Sequence, residues 1–126
     1  MMEEENTVRS EAETAIEVRH PQDGVSVIDF EGDLTGASES RLAEAFSRAS
    51  ASGGEAVVFN FTHLEYMNSS GIGLLVTTLI RAQRQGQRLL AYGLNEHYRQ
   101  IFSLTRLDEA ISLHADEADA LSAISD

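Results

Sequence analysis

Two serines and two glycines share one turn of the chain, Met67-Asn68-Ser69-Ser70-Gly71-Ile72-Gly73. An apolar run, Ala56-Val57-Val58-Phe59-Asn60-Phe61, precedes them. An apolar stripe at helical spacing, Ile72, Leu75, Val76, Leu79 and Ile80, follows. The pattern predicts a buried strand, a short loop, and a helix from about Ser70 to Gln85 whose first turn holds the serines and glycines. A glycine inside a helix costs roughly 0.5–1 kcal/mol relative to alanine, so Gly71 and Gly73 weaken this start by about 1–2 kcal/mol. Such a loss requires an offset: either a backbone packs closely against the turn, or a partner reaches Ser69 and Ser70 there.

A serine hydroxyl at this place has three uses. As an N-cap, Ser69 accepts a hydrogen bond from a first-turn N–H, worth about 1 kcal/mol; that leaves the glycines and Ser70 unexplained. As a nucleophile it requires the Gly-x-Ser-x-Gly elbow and a base with an acid partner. Position 67 is Met, His63 is the nearest imidazole, and no acid partner is evident. As a phosphoacceptor it gains about −1.5 to −2 charges at the positive end of a helix dipole, beside unsatisfied N–H groups. The phosphate then alters the surface a partner meets and leaves the fold intact. Nucleotide binding by the loop itself has little support: the Walker pattern is absent and the chain contains no lysine.

The elements that must hold this turn are legible around it. Ile16, Val18 and His20 alternate with Glu17 and Arg19 as a half-wet strand, Pro21-Gln22-Asp23-Gly24 is a turn, and Val25–Phe30 is a second strand. So short a connection makes the pair antiparallel. Gly32-Asp33-Leu34-Thr35-Gly36 reads as a loop. A helix over about 37–49 then buries Leu42, Ala45, Phe46 and Ala49. The strand 56–61 is apolar at nearly every position, as a central strand is. After the serine helix come Gly86 as its C-cap, a strand 88–92, and a short helix capped by Asn95 with Tyr98, Ile101 and Phe102 inside. A strand 110–113 and a helix capped by Asp116 end the chain. The order β-β-α-β-α-β-α-β-α predicts an α/β domain: an antiparallel N-terminal hairpin, then βα units with right-handed crossovers forming a mostly parallel mixed sheet with about four helices.

The 126 residues suit one domain, read as 14–126, behind an acidic tail at 1–13 without periodicity, expected to be disordered. The formal charge is −12, which opposes direct nucleic-acid binding. There is no cysteine, hence no disulfide and no thiolate chemistry. With aromatic content of 6% and no Trp, the core is expected to be aliphatic. No apolar run reaches the roughly 18 residues of a membrane span, and the start Met1-Met2-Glu3-Glu4-Glu5 is acidic where an export signal is basic. A cytoplasmic protein without membrane insertion is expected. The four histidines are scattered, so no metal site and no cofactor is assigned.

Met67-Asn68-Ser69-Ser70-Gly71-Ile72-Gly73 resembles the Met-Asp-Ser-Ser-Gly-Leu-Gly signature of the anti-sigma factor antagonists, the bacterial STAS domains. Gly32-Asp33-Leu34-Thr35 is similar to that family's Gly-Glu-Leu-Asp loop. Leu89–Leu94 is similar to its fourth strand, and Ile101-Phe102 through Leu107 to its short helix and turn. The resemblance spans about residues 14–125. It implies a protein that catalyses nothing itself. The unphosphorylated form binds an anti-sigma factor that is also a serine kinase, and a sigma factor is released. The kinase, with its own ATP and Mg²⁺, phosphorylates the first serine of the pair, matching Ser69, and a metal-dependent serine phosphatase reverses this. The implied partner-binding residues are Asp33, Thr35, Tyr66, Met67, Asn68, Ser69, Ser70, Gly71 and Gly73; read from the residues alone, Asp33 and Thr35 serve equally well as helix caps, and Tyr66 and Met67 are either partner contacts or core. Three positions depart from the pattern: Asn68 for Asp, Thr35 for a common Asp, and Arg106 for a frequent Gly. Asn68 keeps hydrogen-bonding capacity without the charge, which motivates a second reading: an unphosphorylated STAS interaction module, serving as a signalling scaffold or a transporter-associated subunit.

Overall fold

The computed structural model describes residues 14–51 and 53–125; the tail at 1–13 lies outside them. Five strands form one sheet in the order β1 (Thr14–Gln22), β2 (Val25–Leu34), β3 (Ala56–Met67), β4 (Arg88–Tyr92), β5 (Ile111–His114). β1 pairs antiparallel with β2, and every later pairing is parallel. Four α-helices connect or follow them: α1 (Glu39–Ser50), α2 (Ser69–Arg84), α3 (Glu96–Leu104) and α4 (Glu117–Ser125). A 3-10 turn at Gly36–Ser38 leads into α1, and another at Leu107–Glu109 precedes β5. This is the mixed sheet with four helices that the sequence predicts.

The two faces of the sheet are covered unequally. On one face α1, α2 and α3 close over Ile28, Phe30, Val57, Phe59, Phe61 and Leu89. On the other, α4 alone packs Ala120 and Ile124 against Val27, Val58 and Leu90. The core is mostly aliphatic, as expected, but an aromatic cluster that the sequence reading did not foresee lies within it. All five phenylalanines are fully buried. Four of them interlock: Phe30 with Phe59 at 5.4 Å and with Phe61 at 5.0 Å, and Phe61 with Phe102 at 6.3 Å. Low aromatic content conceals this, because half of it, four of the eight aromatic residues, is spent on one cluster.

Three boundaries also move. Pro21 and Gln22 belong to β1, and the turn is Asp23-Gly24 alone, with Gly24 at φ 78°. Pro21 is tolerated because β1 is an edge strand and its register shifts between Arg19 and Gln22. β2 runs on through Gly32, Asp33 and Leu34, and β3 runs on from Phe61 to Met67, so most of both predicted loops is strand. Past Asn60, β3 has lost β4 and pairs only with β2. Thr62, His63, Glu65 and Tyr66 are accordingly exposed, and the all-apolar signal of a central strand fades while the strand continues.

Candidate functional site

The carboxyl ends of β2 and β3 lie side by side, Asp33 against Tyr66 and Leu34 against Met67. Each strand then turns directly into a helical element. Thr35 caps the first: its Oγ1 accepts from the Ala37 N–H (3.2 Å), and the Thr35 N–H donates to Ser38 Oγ (3.1 Å). The capping role therefore belongs to Thr35, while Asp33 sits half-buried within β2. Asn68 caps the second. It is extended (φ −99°, ψ −177°), and its Oδ1 accepts from the Gly71 N–H at 2.9 Å. The N-cap is thus Asn68, one residue earlier than the reading that gave it to Ser69. The loop between β3 and α2 shrinks to Asn68 alone.

Ser69 becomes the first residue of α2, exposed, with Ser70 exposed beside it. The Gly71 N–H is taken by the cap and the Ile72 N–H by the Asn68 carbonyl (3.0 Å). Helix geometry leaves the N–H groups of Ser69 and Ser70 without an intrahelical acceptor. An anion on the Ser69 hydroxyl would meet those donors and the positive end of a sixteen-residue helix. Among the described residues no histidine hydrogen-bonds to Ser69.

The two glycines separate. A Cβ on Gly71 would stand 2.2 Å from the Leu34 carbonyl oxygen and 3.2 Å from Met67 Cγ. Gly71 is there because the end of β2 packs onto the first turn of α2, and the Asn68 N–H donates to that same Leu34 carbonyl (3.3 Å). A Cβ on Gly73 would meet nothing within 4 Å. Packing accounts for the first glycine and leaves the second facing open space.

Met67 and Gly71 are buried and Asn68 is half-buried, whereas Tyr66, Ser69, Ser70 and Gly73 face solvent. Tyr66 is 49% exposed. The Met67 N–H donates to the buried Tyr98 hydroxyl at 2.9 Å, a support that the sequence reading missed by taking Tyr98 as apolar core only. The Ser38 half of the Thr35 cap was also missed, although Thr-x-x-Ser is a variant of the capping-box spacing.

A family model for the STAS domain matches residues 15–120. The chain belongs to the STAS domain family. Among solved structures, this STAS domain is similar to an anti-sigma factor antagonist from Mycobacterium paratuberculosis: 25% identity, 90% of this chain and 95% of that one, TM-score 0.77. It shares its fold with the Bacillus cell fate determinant SpoIIAA in the phosphorylated form (22% identity, 87% and 99% of the two chains, TM-score 0.69). It shares it equally with a sulfate transporter family protein from Wolinella succinogenes (14%, 84% and 90%, TM-score 0.68).

A second polar cluster lies away from the serine turn, on the α4 face of the STAS sheet. Arg19 forks onto Asp29 (2.6 and 3.0 Å) and reaches Glu117 of α4 (2.9 Å). Asn60 Nδ2 also donates to Asp29 (2.7 Å), and the Tyr92 hydroxyl donates to Glu117 (2.8 Å). Burial pushes the Asp29 carboxyl up, but hydrogen bonds from Arg19 and Asn60 outweigh it and leave the pKa below its ordinary value. Arg19 and Tyr92 hold the Glu117 carboxyl low as well. Burial, then the bond to Glu117, pushes the Tyr92 hydroxyl up to about 12. The cluster is a clasp joining β1, β2 and α4. No helix among the described residues is long and apolar enough to cross a membrane.

Proposed function

We propose that this STAS domain is a cytoplasmic anti-sigma factor antagonist. It acts by binding, not by catalysis, and is switched off by phosphorylation of Ser69. The observation that carries the reading is the placement of Ser69: an exposed hydroxyl at the first position of α2, on a frame fixed from below by Asn68, the Leu34 carbonyl and the Tyr98 hydroxyl. In the proposed cycle the unphosphorylated face, with Tyr66, Ser69, Ser70 and Gly73, binds an anti-sigma factor that is also a serine kinase, and a sigma factor is released. The kinase moves the γ-phosphoryl group of its ATP to Ser69 Oγ; ADP leaves and the hydroxyl proton passes to the kinase. The added charge sits on the surface, where the frame does not rely on the hydroxyl, so affinity changes and the fold does not. A serine phosphatase restores the binding form.

Asn68 is compatible with this cycle. Its amide oxygen makes the cap that a carboxylate would make, and it places no negative charge beside the incoming phosphate. The same residue supports the second reading, a module whose binding ignores phosphorylation. The test incubates the protein with each serine-kinase anti-sigma factor of its source genome and ATP, then maps phosphate by mass spectrometry. Phosphate on Ser69, and weakened kinase binding by Ser69→Asp with an unchanged circular dichroism spectrum, are expected. An unmodified Ser69 would exclude the covalent switch, and affinity insensitive to Ser69→Asp would favour the second reading.

A further inference from the structure

The exposed large apolar side chains of the described residues are Tyr66, Val76, Ile80 and Leu104, all of them on β3, α2 or α3. Two lie on the helix that begins at Ser69. Ser69, Gly73, Val76, Ile80 and Arg84 follow one another at intervals of four, three, four and four residues. At 100° per residue they fall within an arc of about 80°, a ridge about 22 Å long. All five are exposed, Val76 by 37% and Ile80 by 43%. The run Asn68–Ile80 contains no charged residue. At the far end Arg84 has no hydrogen-bond or ion-pair partner among the described residues. Arg81, by contrast, is engaged by Ser47 at 3.1 Å and lies over the Phe46 ring at 4.8 Å.

Charge divides the molecule in the same way. Helices α1, α2 and α3 together hold three acids and five arginines, a formal +2, although the chain as a whole carries −12. The acidic excess therefore lies elsewhere, and the helical layer is the face on which an acidic partner is not repelled.

We propose that this ridge is the seat of one amphipathic helix of the partner protein, about four turns long. Its apolar seam lies on Val76 and Ile80, a bulky residue closes on the gap over Gly73, and a carboxylate at one end meets Arg84. The spacing is that of a two-helix seam, in which side chains of one helix enter the holes of the other. Gly73 supplies the deepest hole, because nothing in its own chain occupies the place of its Cβ. A second copy of this chain is a poor occupant: α2 carries no acid to meet Arg84, and two molecules of −12 repel. The ridge also explains how a phosphate at one end acts on a whole interface. It adds about −1.5 to −2 charges to a +2 face, so the attraction for an acidic helix disappears.

Only the identity of the partner rests on the Ser69 reading, and one experiment separates the two. Affinity for the anti-sigma kinase is measured by calorimetry for wild type, Ser69→Asp, Gly73→Gln, Ile80→Ser and Arg84→Glu, with thermal melts as the folding control. Each ridge variant is expected to bind about tenfold more weakly or worse, as buried anchors do, while melting within a few degrees of wild type. Arg84→Glu is expected to lose the salt dependence of binding as well. Ridge variants that bind like wild type while Ser69→Asp does not would overturn the docking inference and leave the switch standing. Weakened ridge variants with an unaffected Ser69→Asp would do the reverse. A dimer in sedimentation that Ile80→Ser abolishes would assign the ridge to a second copy and overturn the inference.

Discussion

The same substitution, glycine to alanine, should have opposite effects two residues apart. At Gly73 the new methyl group meets nothing within 4 Å, and its φ is not in the left-handed range. The only change is helix propensity, which favours alanine by about 0.8–1 kcal/mol. At Gly71 the same propensity gain is available, but the methyl carbon is placed 2.2 Å from the Leu34 carbonyl oxygen and 2.9 Å from its carbon. Both are backbone atoms of a strand residue held in register against Met67 of β3, so neither can turn aside as a side chain would. The end of β2 and the start of α2 must separate. The Asn68 N–H to Leu34 carbonyl bond stretches, and overpacking of this kind costs about 1–3 kcal/mol or more. Gly71→Ala should therefore lose up to about 2 kcal/mol net, and Gly73→Ala should gain about 1 kcal/mol. For a chain of this size that corresponds to a fall of several degrees in melting temperature against a rise of about 3–5 °C. Urea unfolding followed by far-ultraviolet circular dichroism measures both. If the two variants shift stability in the same direction, the assignment of Gly71 to close packing and of Gly73 to open surface is wrong.

Three further outcomes follow from named contacts. Arg106 is held at φ 65°, where an L-residue is strained by about 1–2 kcal/mol. Because glycine returns part of that as unfolded-state entropy, Arg106→Gly should stabilise the fold by about 0.5–1 kcal/mol in chemical denaturation; a destabilised variant would refute the strain. The folded Asp29 and Glu117 carboxyls titrate below their ordinary values, so near pH 4 the unfolded chain binds more protons than the folded one. Their contribution is present above the ordinary carboxylate range of about 4 and is lost as pH falls through the folded values; Glu117→Gln should flatten stability against pH in that window. Tyr92 is raised to about 12, so the unfolded tyrosine ionises first and stability should fall as pH climbs from about 10 to 12; Tyr92→Phe should remove that slope, as followed by thermal melts.

The sequence was most readable where one periodicity held along a whole element. Alternation in Ile16–His20, the apolar block of Ala56–Phe61 and the Leu75 and Leu79 positions of the helical stripe are each a repeat imposed by burial, whereas Val76 and Ile80, read in the same stripe, are exposed. Caps at Asn95 and Asp116 were legible because short polar side chains before an apolar stripe have one common use there, and each accepts from a first-turn N–H, that of Tyr98 or of Asp119. Legibility failed where a contact joins distant residues. Nothing in the sequence near Gly71 says that Leu34 will lie against it. Nor does a local pattern reveal that Arg19, Asp29 and Glu117 converge, since ninety-eight residues separate Arg19 from Glu117. The strand ends were misjudged for a related reason: beyond Asn60 only β2 pairs with β3, and one-sided burial leaves a mixed polar pattern that reads as loop.

Asn68 shows why a departure from a family pattern has to be judged in three dimensions. In the sequence it is a lost negative charge next to Ser69, the proposed phosphoacceptor. In the structure its Oδ1 holds the Gly71 N–H at 2.9 Å, a bond that an amide and a carboxylate oxygen both accept. The cap and the charge are therefore separable, and two substitutions separate them. Asn68→Ala removes the bond and should cost about 1 kcal/mol of stability. Asn68→Asp keeps the bond, adds a charge beside the helix N-terminus worth about 0.3–1 kcal/mol of stabilisation, and places that charge next to any phosphate on Ser69. A more stable protein that is phosphorylated at the wild-type rate would show that the carboxylate was never needed as a repulsive or kinase-orienting group. A more stable protein whose phosphorylation rate changes would show that residue 68 sets the speed of the switch while its oxygen holds the turn.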